Sequence, residues 1–226
     1  MSEWWTYTPS DFLLFSARTY YRLFELYNRD VWPAQLVALA LGFVILACLF
    51  SNAAWRGKVV TAILAACWLW VAWAFHAERY ATINWAAHYF AIGFAVEALL
   101  LLWFGVVRTG MACTPASTPP PIAGISLFLY ALIVQPLIGP MLGRPWLQLE
   151  LFGMVPDPTA VATLGILLVS GRRPPWLLMV IPIVWCIISG ATLWSMGSKD
   201  AGVMPVIALL VVVLLAIRKV LARRSD

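Results

Sequence analysis

An all-α bundle of transmembrane helices is what this sequence predicts, and three observations carry the prediction. Hydrophobic residues make up 63% of the 226, charged residues only 11%, and the mean hydropathy is +0.88. Long apolar stretches recur almost evenly from Trp32 to Leu221, each near the roughly 20 residues needed to cross about 30 Å of hydrocarbon. Many of the thirteen tryptophans fall at the ends of those stretches, where amphipathic rings sit at headgroup level. A water-soluble core of this size has no use for so much apolar surface. The chain has room for one membrane bundle and no sizeable soluble domain.

The first 30 residues read as an interfacial segment and residues 31–226 as the bundle. Across 9–29, Ser10 can cap a helix with Asp11 in its first turn. Asp11, Arg18, Arg22, Glu25 and Arg29 then form one stripe, and Leu13, Ala17, Tyr20, Phe24 and Tyr27 another. A charged face opposite an aromatic one fits a helix lying in the membrane interface, or one packed on the outer loops of the bundle. Spans follow at about 32–52, 58–79, 84–107, 122–142, 157–170, 175–196 and 202–221. Pro33 follows Trp32 at the head of the first. The fifth opens on Asp157-Pro158, with Asp157 as the cap. Its 14 residues reach only about 21 Å, short of a full crossing unless the chain back to Trp146 joins it.

Charge sets the orientation. With seven spans, Arg56, Lys58, Arg108, Arg172, Arg173, Arg218, Lys219, Arg223 and Arg224 share one side, nine basic residues against six. The C-terminus is then cytoplasmic and the N-terminus outside. If 146–170 is only re-entrant, six spans with both ends inside give eleven against four. Gly171-Arg-Arg-Pro-Pro reads as a short loop between two spans and favours seven. Met1-Ser-Glu-Trp-Trp lacks the basic start of a signal peptide, so retention in a bacterial-type inner membrane is expected. The formal charge of +5 sits in short loops beside apolar spans, which points to lipid and orientation and not to nucleic acid.

Two clusters invite a chemical reading. Glu97 lies 13 residues into the third span, where an ionised, unpaired carboxylate costs several kcal/mol. It should therefore face the bundle interior, either as a proton or cation relay or as a protonated group bonded to a neighbour such as Gln135. Ala86, Gly93 and Glu97 share a face that admits a close helix. His76 and His88 flank the hairpin centre symmetrically, with Glu78 between them and Asp157 on the same side. Two imidazoles and a carboxylate could hold Zn²⁺, Cu²⁺ or Fe²⁺, although no HxxxH or HExxH spacing is present. Hydrogen bonding of both histidines to backbone, Arg79 or water is the simpler alternative. No cofactor is expected. Four scattered cysteines without a Cys-x-x-Cys pair read as core residues. The spans hold no lysine for a retinal Schiff base, and Walker A, Rossmann and Gly-x-Ser-x-Gly patterns are missing.

Several motifs carry a family resemblance: Tyr7-Thr-Pro-Ser-Asp-Phe-Leu-Leu-Phe15, Tyr27-Asn-Arg-Asp-Val-Trp-Pro33, Ile83-Asn84, Phe152-Gly-Met-Val-Pro-Asp-Pro-Thr159, Thr163-Leu-Gly165, Pro182-Ile-Val-Trp185 and Ser189-Gly-Ala191. In these the chain resembles an uncharacterised family of bacterial integral membrane proteins, a domain of unknown function. The resemblance runs nearly end to end and implies the helical membrane fold, but no activity and no catalytic residue. It includes members with cysteine where this chain has Asp157, which counts against an obligatory ligand there. Two function classes lead. Broken helices (Pro136, Pro140, Pro158, Pro182) and Glu97 suggest a small transporter or channel for a proton, ion or small solute. The lack of a dense polar motif suggests a non-catalytic membrane subunit or assembly factor, with a membrane-protein partner or a second copy of itself. A membrane enzyme is a weaker third.

Overall fold

The computed structural model describes residues 15–108, 119–170 and 176–224. Every regular element among them is helical. The described residues form nine α-helices in chain order: α1 Ala17–Asp30, α2 Ala34–Phe50, α3 Arg56–Trp70, α4 Ala87–Leu102, α5 Pro119–Leu129, α6 Gln135–Met141, α7 Pro156–Val169, α8 Leu177–Ser195 and α9 Val203–Arg224. Helix α3 continues into a π-helical turn, Val71–Ala77, and α4 into another, Trp103–Arg108. A third, Tyr130–Val134, joins α5 to α6.

Among the described residues, four helical runs are long and apolar enough to cross a membrane: Arg56–Thr82, Ala87–Arg108, Pro121–Met141 and Leu177–Ser195. A fifth is reached only by joining α1 to α2 across a 90° bend. Seven full-length spans are therefore not what the described residues provide. Helix α7 and the apolar part of α9, Val203–Arg218, are shorter. The bilayer-length stretches of sequence are mostly there. In the fifth, however, non-helical chain from Leu149 to Val155 takes up the length a full helix would use.

Helix α7 is the centre of the molecule. Every one of its 14 residues is buried, as expected of a helix that is apolar all round. Its neighbours approach closely because they meet small residues. A Cβ on Gly165 would lie 2.7 Å from the carbonyl oxygen of Gly124 on α5, and one on Gly124 would lie 2.5 Å from that of Gly165. The chain enters α7 through Gly153, whose φ of +74° suits glycine. A Cβ there would also press on Cys67 at 2.9 Å.

Helix α1 begins at Ala17, where the Ser16 hydroxyl accepts the Thr19 amide. The cap proposed at Ser10 lies outside the described residues. Tyr20, Phe24 and Tyr27 turn inward onto Phe75 and Tyr80, while Arg22 and Arg29 pair with Glu25 on the outer face. The aromatic face of α1 thus packs on the bundle, with the helix at right angles to α2. Tyr27 donates to the Met154 carbonyl, and Asn28 to those of Leu147 and Leu149, each at 2.9 Å. Three carbonyls of the chain leading into α7 thus find donors on α1, as buried backbone requires. The tryptophans placed at helix ends (Trp32, Trp85, Trp146 and Trp194, and Trp55, Trp103 and Trp176) are all exposed.

The glycine crossing gives a direct test. Gly165→Leu should lower stability by more than the roughly 1–3 kcal/mol usual for overpacking, because backbone is the clashing neighbour. Thermal unfolding of the purified protein would read it, with Gly93→Ala, which meets open space, as the neutral control.

Candidate functional site

Several buried polar residues gather round the N-terminal end of α7, and the sequence put part of that cluster in view. Helix α7 starts at Pro156 with Val155 as the capping residue, so Asp157 lies inside the first turn and does not cap it. Its side chain turns sideways. Oδ1 accepts from the Trp185 indole at 2.7 Å and Oδ2 from the Ser189 hydroxyl at 2.6 Å, both on α8. Seven residues along α7 from Pro156, Thr163 accepts the Trp68 indole at 2.8 Å. Thr159 receives the Gly153 amide. Hydroxyls at 159 and 163 share one face of the helix, so α7 carries a polar stripe within an apolar core.

Above Asp157 lies an ion cluster. Arg144 bridges Glu150 at 2.8 Å and Asp200 at 3.1 Å, with all three side chains only 12–14% exposed. Its guanidinium also lies 4.5 Å from the centre of the Tyr21 ring, and Tyr21 shares a hydrogen bond with Ser198 at 2.8 Å. Gly139 makes room for it, since a Cβ there would meet Arg144 Nε at 2.9 Å. Between this cluster and Asp157 is a cavity of about 20 Å³, lined also by Tyr130, Gln135 and Met204. That volume suits one water molecule. The Tyr130 hydroxyl and the Gln135 carbonyl oxygen lack partners, and each would gain one from it.

Glu97 faces the interior, as its depth in the sequence requires, and is 0% exposed. Neither carboxyl oxygen has a partner among the described residues. The Gln135 bond does not form: that amide points instead to Met204 Sδ at 3.7 Å, beside the Asp157 cavity. His76 is also 0% exposed with both nitrogens unpartnered. It stands among aromatic rings, with centres 4.5 Å away in Phe94 and 5.0 Å away in Trp185.

His76, His88, Glu78 and Asp157 are not brought together. The π-helical turn puts His76 inside, while His88 and Glu78 are exposed. Among the described residues, no three His, Cys, Asp or Glu side chains are placed to hold a metal ion. The structure instead links Asp157 to His76 through Trp185, which bonds one and packs on the other. Phe94, against His76, precedes Glu97 by one helical turn. Sequence reasoning passed over Arg144, Glu150, Asp200, Tyr130 and Ser189 as site residues. The run Arg144 to Glu150 between apolar stretches was the available signal.

An all-α bundle with four to five apolar helices of membrane-spanning length, enclosing buried ionisable groups, defines the class. The chain belongs to a family of unknown function (DUF6064), which matches residues 17–226. No curated protein and no solved structure matches it.

Glu150 makes the Arg144 cluster sensitive to pH. Burial, with Asp157 adding, pushes its carboxyl up to about 7 despite the Arg144 pair. A folded-state value above the unfolded one means that the native protein binds more protons between about 4.5 and 7. Stability should therefore be greatest below that window and fall as pH rises through it. Melting temperature measured from pH 5 to 8 should show this slope, and Glu150→Gln should flatten it.

Proposed function

We propose that the chain is an integral membrane protein that moves protons, alone or coupled to a small solute, along the line Asp157, His76 and Glu97. One observation carries this reading. His76 and Glu97, on adjoining helices, are both fully buried with every side-chain polar atom unpaired. Leaving a buried polar group unsatisfied costs about 1–3 kcal/mol, and an ionised carboxylate costs more. Two such groups, one against Phe94 and the other one turn further along the same helix, call for a use at their positions. Intramembrane acids and histidines in relay lines fit that description.

The order of the residues supports a path. Asp157 sits under the Arg144 cluster, which closes the end of the bundle facing α1. His76 follows through Trp185, and Glu97 lies one turn further along α4 towards Arg108. The π-helical turns at 71–77 and 130–134 put irregular geometry beside this line, and such bulges are frequent at functional sites. A 20 Å³ cavity is space for one carrier water above Asp157.

Reconstituted protein should dissipate an imposed pH gradient, read by a pH-sensitive dye trapped in liposomes. Glu97→Gln keeps the shape and cannot release a proton, so it should fold normally and lose most of the flux, as should His76→Phe. Wild-type flux from Glu97→Gln would overturn the relay. No flux from the wild type, with a stoichiometric companion protein retained through purification, would replace it with a non-catalytic subunit.

For placement, we count α7 as a crossing completed by the buried segment 151–155, since non-helical backbone is tolerated at membrane depth inside protein. That gives seven crossings in a bacterial inner membrane, with Arg56, Lys58 and Arg108 inside and the C-terminus cytoplasmic. Helix α1 then lies in the plane of the outer surface, at 90° to α2. A cysteine label near Met1 should react from outside intact cells, and reaction only after permeabilisation would remove one crossing.

A further inference from the structure

A second concavity borders the polar cavity from the side. Between α5–α6 and α9 runs an open groove of about 550 Å³, walled by Leu127, Tyr130, Ile138, Val203, Val206 and Ile207. Leu127 and Ile138 are eleven residues apart on a nearly continuous helix, so the groove is roughly 16 Å long. Lys199 stands at one end and is the only charged residue that lines it. Lys199 is exposed and makes no ion pair among the described residues. The neighbouring Asp200 is already engaged by Arg144 and Ser198, so the ammonium charge is left for something else.

We propose that this groove holds one acyl chain of an anionic glycerophospholipid, with the lipid phosphate on Lys199. The chemistry of the walls selects the occupant. An alkyl chain satisfies a long apolar trough, and a single cation at its mouth selects a negative headgroup. A docked helix or a second copy would have no need of that charge, and apolar surface elsewhere on the bundle is too general to mark a dimer face. Tyr130, Ile138 and Val203 line both the groove and the cavity that holds Asp157. A seated chain therefore backs the wall of the proton path and keeps water from entering it sideways. The inference rests on the membrane reading above, though not on proton movement.

The test uses full-length protein in mild detergent, with lipid adducts read by native mass spectrometry and melting temperature as a second signal. Phosphatidylglycerol should be retained over phosphatidylcholine by about fivefold, the worth of one lysine facing an anionic headgroup, and should raise the melting temperature. Lys199→Glu should abolish that preference. Val206→Trp, which fills the groove from an exposed position, should lose both adducts. Equal retention of the two lipids by wild type, or undiminished adducts in Val206→Trp, would overturn the proposal. So would a shift of equal size from inorganic phosphate or from a free fatty acid, since either would replace the two-part ligand with one of its halves. Protein recovered in solution without detergent would instead remove the membrane reading. Absence of flux in liposomes would leave the lipid result standing.

Discussion

Complete burial of α7 is the constraint on which the rest of the structure depends. Fourteen residues with no exposed position need neighbours on every side, and α3, α5, α8 and α9 supply them. Because the helix is surrounded, its polar groups must be matched by partners from those neighbours. Trp68 answers Thr163, and Trp185 with Ser189 answers Asp157. The same enclosure dictates glycine at 124 and 165, where two backbones nearly touch. It also explains the role of α1. A helix that starts partway through the bundle needs non-helical chain to reach it, and Tyr27 and Asn28 supply donors to that chain.

Polar groups are distributed unevenly within this frame. Near the α1 end the charged groups are engaged: Arg144 meets two carboxylates and an aromatic face. Among the described residues, Asn28, Gln35, Tyr130 and Gln135 each leave one buried side-chain atom without a partner, whereas His76 and Glu97 each leave two. A protein that meets the needs of Asp157 with two donors, yet leaves the neighbouring imidazole and carboxyl without any, is not short of hydrogen-bonding residues. The contrast within one core is what favours a functional over a structural origin.

Much of the helix plan was legible in the sequence because apolar runs, prolines and end-positioned tryptophans act locally. Arg56–Thr82 and Leu177–Ser195 sit within a few residues of where hydropathy places them. The depth and inward orientation of Glu97 were readable for the same reason. The pairing of Gln135 was not, because it depends on how α6 rotates after the π-helical turn at Tyr130–Val134. The symmetry that appeared to join His76 to His88 failed likewise: a π-helical turn shifts the facing of every residue within it. The Arg144–Glu150–Asp200 cluster joins positions up to 56 residues apart, a separation that carries no periodic signal.

The far end of α7 is closed from the last helix. Arg218 donates to the carbonyl of Ser170 at 2.8 Å and lies 3.5 Å from that of Leu168, among the groups a helix leaves without partners at its C-terminus. The residue that completes the central helix thus lies 48 residues further along the chain. During synthesis, α7 has no Arg218 guanidinium on those carbonyls until α9 is in place. Chains cut short before residue 218 would leave the C-terminal end of the central helix without this cap.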